Sequence, residues 1–364
     1  MSDSRTDGAT MLAVRWHARG DIRLERVARP AAPAPDRVVV QVEAAGICGT
    51  DIEEWQHGPI NVAVTPHPLT GASAPLVLGH EFCGTVVAAG AESGWQPGQR
   101  VAVEVNTSCG RCARCQSGET QQCAQLASLG LHDDGGLAEY VSVPGATCLE
   151  IAGDVPAEVA VLAEPLAVGV RALRRTSVTA GERVAVLGGG AVGQLVARLA
   201  RARGTDVTLI EPMAARREVA ERSGITAVHP DALAEAVAAT PDGAGFDVVL
   251  ECAGFDGAVR TSADIARSGG RVAVLGVSTS AIDVTPWDLI ARELTVQGVL
   301  SHTLADFAEA LDALTSGLVD PAGIVSNVVP LSEAIEGAFE PLRDPGAHLK
   351  IIITSGFTGQ ANIG

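Results

Sequence analysis

The sequence predicts an α/β protein in which a doubly wound parallel sheet forms one of two domains. Three observations support this fold class. At 364 residues, the chain exceeds the size at which a single hydrophobic core usually keeps growing. Short apolar runs with strand-like composition alternate with helical segments, from "ERVAVL" to "GGRVAVLGV". The first run leads into a glycine-rich turn, and this succession is typical of a parallel sheet with helices on both faces.

The glycine-rich turn carries a dinucleotide-binding pattern. Gly188-x-Gly190-x-x-Gly193 lies between "ERVAVL" and a helical segment that ends near Gly204. The next predicted strand, "DVTLI", is followed directly by Glu211. In such a unit the glycines let the backbone approach a pyrophosphate at the helix N-terminus, and the acid accepts hydrogen bonds from the adenosine ribose.

The position of Glu211 favours NAD over NADP, because a carboxylate would repel a 2′-phosphate. Arg216 and Arg217 follow closely, and for them a solvated helix face is the simpler interpretation. The candidate cofactor-binding residues are Gly188, Gly190, Ala191, Val192, Gly193, Glu211 and Arg216.

The acidic composition of the chain excludes several classes of partner. There are 26 Lys and Arg against 43 Asp and Glu, a formal net charge of −17, whereas nucleic acids and anionic membranes require concentrated basic residues. The apolar stretch around the glycines is interrupted by Gln194 and Arg198 and does not predict a spanning helix. The N-terminus contains no apolar signal core. We therefore expect a cytoplasmic protein with a disordered tail over residues 1–10, and no nucleic-acid or membrane partner.

Four of the eight cysteines lie in one short polar segment. Cys109, Cys112, Cys115 and Cys123 have the spacing C-x2-C-x2-C-x7-C. Disulfides are disfavoured in a reducing cytoplasm. An iron–sulfur run of the bacterial ferredoxin type has three residues before its last cysteine and a proline after it, unlike this segment. The spacing favours a structural zinc site, because four thiolates complete the tetrahedral shell and leave no position for a substrate.

A second group of residues predicts an open, catalytic zinc site. Cys48, His80, Glu81 and Glu164 supply the mixed sulfur, nitrogen and oxygen ligands that such a site requires. Each of them alone is a weak signal, but together with the four-cysteine segment they are strong. Asp51, three residues after Cys48, is placed to fix the tautomer of the histidine ligand. The alternative for Asp51 is an ordinary turn or cap residue.

Together these motifs resemble those of the zinc-dependent medium-chain alcohol dehydrogenases. The cysteine, the "GHE" tripeptide and the later glutamate surround a four-cysteine segment and precede a Rossmann unit. The stretches "GPI", "PHPLTG" and "LGHEF" are similar to the insertion of the 2,3-butanediol dehydrogenase branch, which adjoins the sorbitol and threonine dehydrogenases. The resemblance covers nearly the whole chain from about residue 11 onward.

The resemblance implies a division into two domains. A GroES-like, mostly β catalytic domain is expected over residues 11–165 and 303–364, and a Rossmann NAD-binding domain over residues 166–302. Two zinc ions per chain are implied, one catalytic and one structural. A homodimer or homotetramer is also expected, because oligomers are usual in this superfamily.

The resemblance also implies the chemistry, which is reversible oxidation of a secondary alcohol to a ketone by NAD. The candidate catalytic residues are Thr50, Asp51 and Glu53. Thr50 matches the family's Ser or Thr that hydrogen-bonds the alcohol and begins a proton relay. Glu53 stands where the family commonly has a relay histidine, and a free glutamate has a pKa of about 4.3 against about 6.5 for histidine. Glu53 is therefore either the outer relay group or a solvated bystander.

The expected substrate is a small secondary alcohol, with a vicinal diol such as 2,3-butanediol, and its ketone acetoin, favoured. Polyols, threonine-type substrates and bulkier cyclic secondary alcohols are the alternatives. Two rival classes remain, a zinc-free enone reductase of the same superfamily and a non-catalytic relative. The complete set of candidate metal ligands argues against the first, and the retained Thr50 against the second.

Overall fold

The computed structural model describes residues 10–278, 281–343, 346 and 348–356. It divides into two compact units at Glu164/Pro165 and Ile324/Val325, and each unit is described separately below. Of the predicted N-terminal tail, residues 1–9 lie outside the described residues. Thr10 already belongs to the first strand, because its backbone pairs with the neighbouring strand at Ala28.

The N-terminal part of the first unit is mostly β-structure with short helices. Its strands are β1 (Thr10–Ala18), β2 (Asp21–Ala28), β3 (Arg37–Gly46), β4 (Leu76–Val77), β5 (Glu81–Ala89), β6 (Arg100–Val103), β7 (Asn106–Thr107), β8 (Ala127–Ser128), β9 (Tyr140–Pro144) and β10 (Cys148–Glu150). Its α-helices are α1 (Gly49–His57), α2 (Ala113–Gln116) and α3 (Ala157–Ala160), with 3₁₀ turns at Thr120–Gln122 and Gly145–Thr147.

The second unit alternates strands and helices. Helix α4 (Ala163–Arg175) leads into it, and its remaining elements are β11 (Arg183–Leu187), α5 (Ala191–Ala202), β12 (Asp206–Ile210), α6 (Ala214–Arg222), β13 (Thr226–Val228), α7 (Leu233–Ala238), β14 (Phe246–Glu251), α8 (Ala258–Ile265), β15 (Ala266–Val274), α9 (Pro286–Arg292), β16 (Thr295–Gly298) and α10 (Leu304–Thr315). Short 3₁₀ turns lie at Pro230–Ala232 and Pro241–Gly243.

The chain then returns to the first unit through two parallel strands. These are β17 (Val325–Pro330) and β18 (Lys350–Thr354), which are separated by short turns at Leu331–Glu333, Ile335–Phe339 and Pro341–Arg343. Within the described residues, the main sheet of the first unit has the order β10-β6-β5-β3-β18-β17, and β9 also pairs with β3. A smaller sheet has the order β2-β1-β4, and β7 pairs with β8.

The register of the main sheet brings distant segments together at one end of β3. Gly46, the last residue of β3, lies opposite Glu81 on β5 and opposite Ile352 on β18. Alternate valines along β3, among them Val38 and Val42, point into the hydrophobic core of this unit. Because this core fixes the register, the residues after Gly46 lie beside the first residues of both β5 and β18.

The described strands of the second unit form a parallel sheet with the order β13-β12-β11-β14-β15-β16. This is the order 3-2-1-4-5-6 of a doubly wound dinucleotide-binding fold, so the predicted α/β class is confirmed. The strand order reverses between β11 and β14, where Leu187 pairs with Glu251. Ligands of such sheets bind outside the carboxyl ends of the strands at this reversal.

The second unit extends further along the chain than the sequence predicted. The predicted return to the first domain at residue 303 lies within the second unit, which continues to Ile324. Helix α10 accounts for the difference, because ion pairs join it to the helices of this unit. Asp306 and Glu309 both pair with Arg174 on α4, and Glu309 also pairs with Arg203 just after α5.

Among the helices of the described residues, none combines the length and the apolar composition that crossing a membrane would require.

Candidate active site and metal centres

Three potential metal ligands converge at the end of β3. Cys48 is the N-cap residue of α1, and His80 and Glu81 lie at the start of β5. One ligand atom from each of the three lies within 4.8 Å of the others. His80 and Glu81 are buried and Cys48 is half-buried. Sulfur, nitrogen and oxygen donors at this spacing form the mixed set that zinc accepts in catalytic sites.

Asp51 lies against the imidazole of this cluster. One of its carboxylate oxygens, Oδ2, accepts a hydrogen bond from the backbone N–H of Cys48 at 2.9 Å. The other, Oδ1, lies 3.5 Å from Nδ1 of His80, and both of these buried atoms lack a hydrogen-bond partner among the described residues. Asp51 therefore caps α1 and also faces the histidine. A proton on Nδ1 directed at Asp51 leaves the lone pair of Nε2 for a metal.

Glu164 lies near the cluster but outside its most compact part. It is in the first turn of α4, is 9% exposed, and does not belong to the group whose ligand atoms lie within 4.8 Å of one another. Burial raises the pKa of Glu81, the lysine Lys350 opposes this rise, and the negative charge of Glu164 adds to it. Two buried carboxylates that repel each other beside a cysteine and a histidine form a site that a divalent cation stabilises.

Lys350 is a member of this site that the sequence did not reveal. It is the first residue of β18, is 3% exposed, and donates to Oε1 and Oε2 of Glu81 at 2.7 and 2.8 Å and to the carbonyl of Ile47 at 3.0 Å. Burial disfavours its charge, but the Glu81 carboxylate outweighs this and raises its pKa. The available signal was a lysine at the start of the buried run "KIIIT". The Glu81 carboxylate is thus held by a cation of the protein itself.

The proposed relay residues lie on one face of α1. The Thr50 hydroxyl oxygen is 3.7 Å from the Cys48 sulfur, which places it at the metal cluster. Glu53 is three residues further along the helix and therefore on the same side, with its side chain exposed. The neighbouring Glu54 has a different environment. It is fully buried and accepts hydrogen bonds from three backbone N–H groups of the following loop, residues 60–62.

The four-cysteine segment forms a second, separate cluster. Cys109, Cys112, Cys115 and Cys123 bring their sulfur atoms within 4.8 Å of one another, and all are free thiols. The individual sulfur–sulfur distances are 3.4, 3.9 and 4.0 Å. A zinc–sulfur bond of about 2.3 Å places the corners of a tetrahedron about 3.8 Å apart. Backbone N–H groups of Arg111 and Cys112 lower the pKa of Cys109 to about 6, which favours the thiolate that zinc binds.

The glycine-rich turn has the geometry of a pyrophosphate-binding loop. Gly188 has φ of +102° and lies so close to Ala253 that a Cβ would approach the alanine Cβ to 2.9 Å. A Cβ on Gly193 would lie 1.9 Å from the carbonyl oxygen of Gly188. A Cβ on Gly190 would meet open space instead. The first and third glycines therefore permit the turn and the helix contact, and the second leaves room for a ligand at the N-terminus of α5.

Glu211 lies beside this loop and accepts a hydrogen bond from it. It is 3% exposed, and its carboxylate accepts from the backbone N–H of Gly189 at 2.7 Å and of Met213 at 2.9 Å. Arg217 donates to the Glu211 carbonyl at 2.8 Å and so holds the end of β12. The carbonyl of Arg216 accepts from the side chain of Gln194 at 2.8 Å, which joins α6 to α5. The carboxylate thus lies directly after β12 and beside the glycine-rich turn, and both arginines contribute to local structure.

Glu251 is a second buried acid at the carboxyl end of the parallel sheet. It was not singled out from the sequence. It ends β14, is 1% exposed, and one carboxylate oxygen accepts from the backbone N–H groups of Ala253 and Gly254, each at 2.7 Å. Because Ala253 packs against Gly188, this carboxylate fixes the turn that supports the glycine-rich loop. The available signal was an acid directly after the apolar run "FDVVL".

Family comparisons agree with both parts of the molecule. Residues 34–153 match the family profile described as Alcohol dehydrogenase GroES-like domain, and residues 191–316 match Zinc-binding dehydrogenase. The (R,R)-butanediol dehydrogenase of Bacillus subtilis (strain 168) is 32% identical over 94% of this chain and 99% of its own length. The crystal structure of 2R,3R-butanediol dehydrogenase from Bacillus subtilis matches with a TM-score of 0.88 at 31% identity, over 94% of this chain and 99% of that one.

Two further relatives show the breadth of the similarity. A probable D-xylulose reductase A of Aspergillus clavatus is 32% identical over 88% of this chain and 89% of its own length. A zinc-binding dehydrogenase from Sinorhizobium meliloti 1021, crystallised with NADP, matches with a TM-score of 0.85 at 36% identity, over 95% of this chain and 99% of that one.

The chain belongs to the zinc-dependent medium-chain alcohol dehydrogenases, in the branch that resembles butanediol dehydrogenase. It is an alcohol oxidoreductase that uses zinc and a nicotinamide cofactor and acts on secondary alcohols. The predicted two-domain fold, a GroES-like domain with a Rossmann domain, is confirmed. The zinc-free and non-catalytic alternatives are disfavoured.

Proposed function

We propose that this protein interconverts a vicinal diol and its hydroxyketone, with 2,3-butanediol and acetoin as the leading pair, and uses NAD as the hydride acceptor. The observation that supports this most is the similarity to butanediol dehydrogenase over nearly the whole of both chains. A polyol or sugar-alcohol substrate is the second candidate, and the similarity to a D-xylulose reductase favours it. Threonine-type substrates and cyclic secondary alcohols are less favoured as substrates than these two.

The proposed roles of the residues follow from their positions. Cys48, His80 and Glu164, with Glu81 as a further carboxylate, would hold the catalytic zinc. When bound, zinc supplies Lewis-acid polarisation of the alcohol oxygen, and NAD supplies the hydride acceptor. Asp51 orients the imidazole of His80 through the Nδ1 side.

Thr50 is proposed to accept the alcohol proton on its hydroxyl oxygen while it releases its own hydroxyl proton to the next group of the relay. The hydroxyl lies at the metal cluster, 3.7 Å from the Cys48 sulfur. Glu53, on the same face of α1 and exposed, would pass this proton to water.

The substrate proposal can be tested with purified protein. NADH formation is followed with the stereoisomers of 2,3-butanediol, with L-threonine and with cyclic secondary alcohols, and NADH consumption is followed with acetoin and D-xylulose. The proposal requires the highest kcat/KM for a butanediol stereoisomer and for acetoin. A higher kcat/KM for D-xylulose than for acetoin would favour the polyol alternative.

Glu53→Gln tests the outer end of the relay. The substitution keeps size and polarity but removes the titrating group, so alcohol oxidation should slow about 10-fold or more if Glu53 carries the proton. Glu53→His should restore the rate, because histidine titrates closer to neutral pH. Steady-state kinetics as a function of pH measure both effects.

Two controls accompany the Glu53 variants. Zinc content should stay constant, because Glu53 is not proposed as a ligand, and Glu92→Gln, at an exposed carboxyl of the same unit, should leave the rate unchanged. A Glu53→Gln enzyme that equals wild type across pH, with chemistry rate-limiting, would show that Glu53 is a bystander and that the relay passes from Thr50 directly to water.

NAD rather than NADP is the proposed cofactor, on the evidence of the buried carboxylate of Glu211. Glu211→Ala should lower the ratio of kcat/KM for NAD to that for NADP by about 10-fold or more, because it removes a ribose acceptor and the repulsion of a 2′-phosphate. Glu218→Ala, at an exposed acid on the next helix, is the matched control. A wild-type enzyme that uses NADP as well as NAD would contradict this role of Glu211.

Two zinc ions per chain are proposed, one in each cluster of candidate ligands. The second cluster has only cysteine ligands and no position for substrate, so its zinc would be structural. Elemental analysis of the purified protein measures the ratio. The cytoplasm is the proposed location, since thiolate clusters of this kind persist in a reducing environment.

Assembly into a homodimer or homotetramer is also proposed. In the described part of the second unit, β16 is one of the two edge strands of the sheet and has one neighbour, β15. Large apolar side chains are exposed near it, with Trp287 at 72%, Ile290 at 66% and Leu300 at 63%. An edge strand flanked by such side chains is a surface that a second copy would cover. Analytical ultracentrifugation measures the oligomeric state, and a monomer at micromolar concentration would contradict the proposed homodimer or homotetramer.

A further inference from the structure

A cavity in the second unit lies at the far end of α5 from the glycine-rich loop. It has a volume of about 550 Å³, within the range of small-molecule sites. Its walls are the last turns of α5 and α6 and the segment of residues 317–323 that follows α10. Along α5, the lining residues lie about 10 Å (Arg198) to about 16 Å (Ala202) from the first residue after the glycine-rich turn. The site described above therefore does not include it.

Three guanidinium groups line this cavity, from Arg198, Arg201 and Arg222, against a single acidic side chain, Asp320. Arg198 is 6% exposed, whereas Arg201 and Arg222 are exposed. This excess of positive charge is unusual in a chain with a net charge of −17, where carboxylates are available to pair with most arginines. A cleft lined by three arginines and a single carboxylate has a positive field that attracts anions.

The positive charges of the lining are poorly compensated within the described residues. Arg201 makes no ion pair there, and Arg222 has only a contact of 4.0 Å with Glu218, between two side chains that are each 65% exposed. Such an exposed and distant pair contributes little. One oxygen of the Asp320 carboxylate accepts from the backbone N–H of Ala322 at 2.9 Å. The lining therefore keeps its cationic character.

Arg198 forms the buried end of the cavity. Its guanidinium donates to the backbone carbonyls of Asp320 and Val219, while Nε is buried without a hydrogen-bond partner among the described residues. A buried polar atom without a partner is costly. Burial lowers the pKa of Arg198, and the like charge of Arg222 lowers it further. The negative charge of Asp320 acts in the opposite direction. An anion in the cavity would relieve the repulsion between these two arginines.

We propose that this cavity binds a small phosphate-bearing anion at a site separate from the cofactor and the substrate. Guanidinium groups pair with phosphate oxygens in a bidentate manner, and the cavity is larger than a single phosphate needs. The ligand class is therefore a phosphorylated small molecule with at least two negative charges. The inference does not depend on which alcohol the enzyme oxidises.

Inorganic pyrophosphate is the probe, and isothermal titration calorimetry is the measurement. The enzyme is first saturated with NAD, so that the pyrophosphate position at the glycine-rich loop is already filled. Saturable binding is expected for the wild type at constant ionic strength. A variant carrying both Arg201→Gln and Arg222→Gln should bind at least about 10-fold more weakly, because charge-assisted hydrogen bonds are lost. Both side chains are exposed, so the variant should fold normally.

A matched control removes two arginines elsewhere. Arg23→Gln with Arg26→Gln, on the exposed face of β2, causes the same charge change and should leave pyrophosphate binding as in wild type. As a second variant, Ala322→Glu places a carboxylate at the cavity and should abolish the binding. Absence of saturable binding in wild type would overturn the proposal, as would equal weakening in the two double variants, which would indicate a general effect of charge.

Discussion

Cys112→Ser is expected to cost the protein one zinc ion per chain and to lower its melting temperature by about 10 °C or more. Structural zinc contributes about 10 kcal/mol or more to folding in zinc-finger peptides at neutral pH. In domains of this size, each kcal/mol shifts the melting temperature by about 2–4 °C. Even partial loss of the zinc contribution is therefore a large effect. Elemental analysis and differential scanning calorimetry of the same sample measure the two quantities.

The control for this prediction is Cys252→Ser, at a half-buried cysteine outside both clusters. It should keep the zinc content of wild type. Because the Cys48 cluster belongs to a different part of the first unit, Cys112→Ser should also retain the catalytic metal. A Cys112→Ser protein with wild-type metal content and melting temperature would contradict the assignment of a structural site.

Lys350→Met is expected to lower the free energy of unfolding by about 3–5 kcal/mol, because it leaves the buried carboxylate of Glu81 without its cation. Methionine has a similar length and can fill the same space. The carbonyl of Ile47 also loses its donor. Urea denaturation measures the loss, and the slope of the transition shows whether the folded state has changed in compactness.

The double variant Lys350→Met with Glu81→Gln separates the ion pair from the metal site. If the cost comes from the unpaired charge, the double variant should be more stable than Lys350→Met alone, and the double-mutant cycle should show coupling. Zinc analysis of Glu81→Gln and of Glu164→Gln then indicates which carboxylate is the metal ligand. A Lys350→Met protein as stable as wild type would contradict the importance of the pair.

The features that the sequence predicted well are those whose residues are close together in the chain. In the cysteine segment and the glycine-rich turn, spacing alone limits the geometry, because few residues separate the groups that must meet. The alternation of apolar runs and helical segments likewise predicted the parallel sheet, since each strand and helix is a local pattern. Glu211, the proposed ribose-binding carboxylate, was singled out because it directly follows a predicted strand.

The features that the sequence missed depend on contacts between distant segments. Glu81 and Lys350 are 269 residues apart, and only the register of β18 against β3 brings them together. Glu251 gave a local signal, an acid after an apolar run, but its contact with the turn beside Gly188 depends on the pairing of β14 with β11. The boundary predicted at residue 303 differs from the end of the second unit at Ile324, and the ion pairs that join α10 to this unit leave no pattern in its own sequence.

The sequence by itself determined the class of fold and predicted the four-cysteine cluster and the glycine-rich turn, because these depend on residue types in local patterns with short spacings. Only the tertiary structure decided which buried charges are paired, where the second unit ends, and that arginines of α5 and α6 meet at one cavity. Ion pairs and cavities form between surfaces that packing brings together, and their energies depend on burial and distance, which no local pattern encodes.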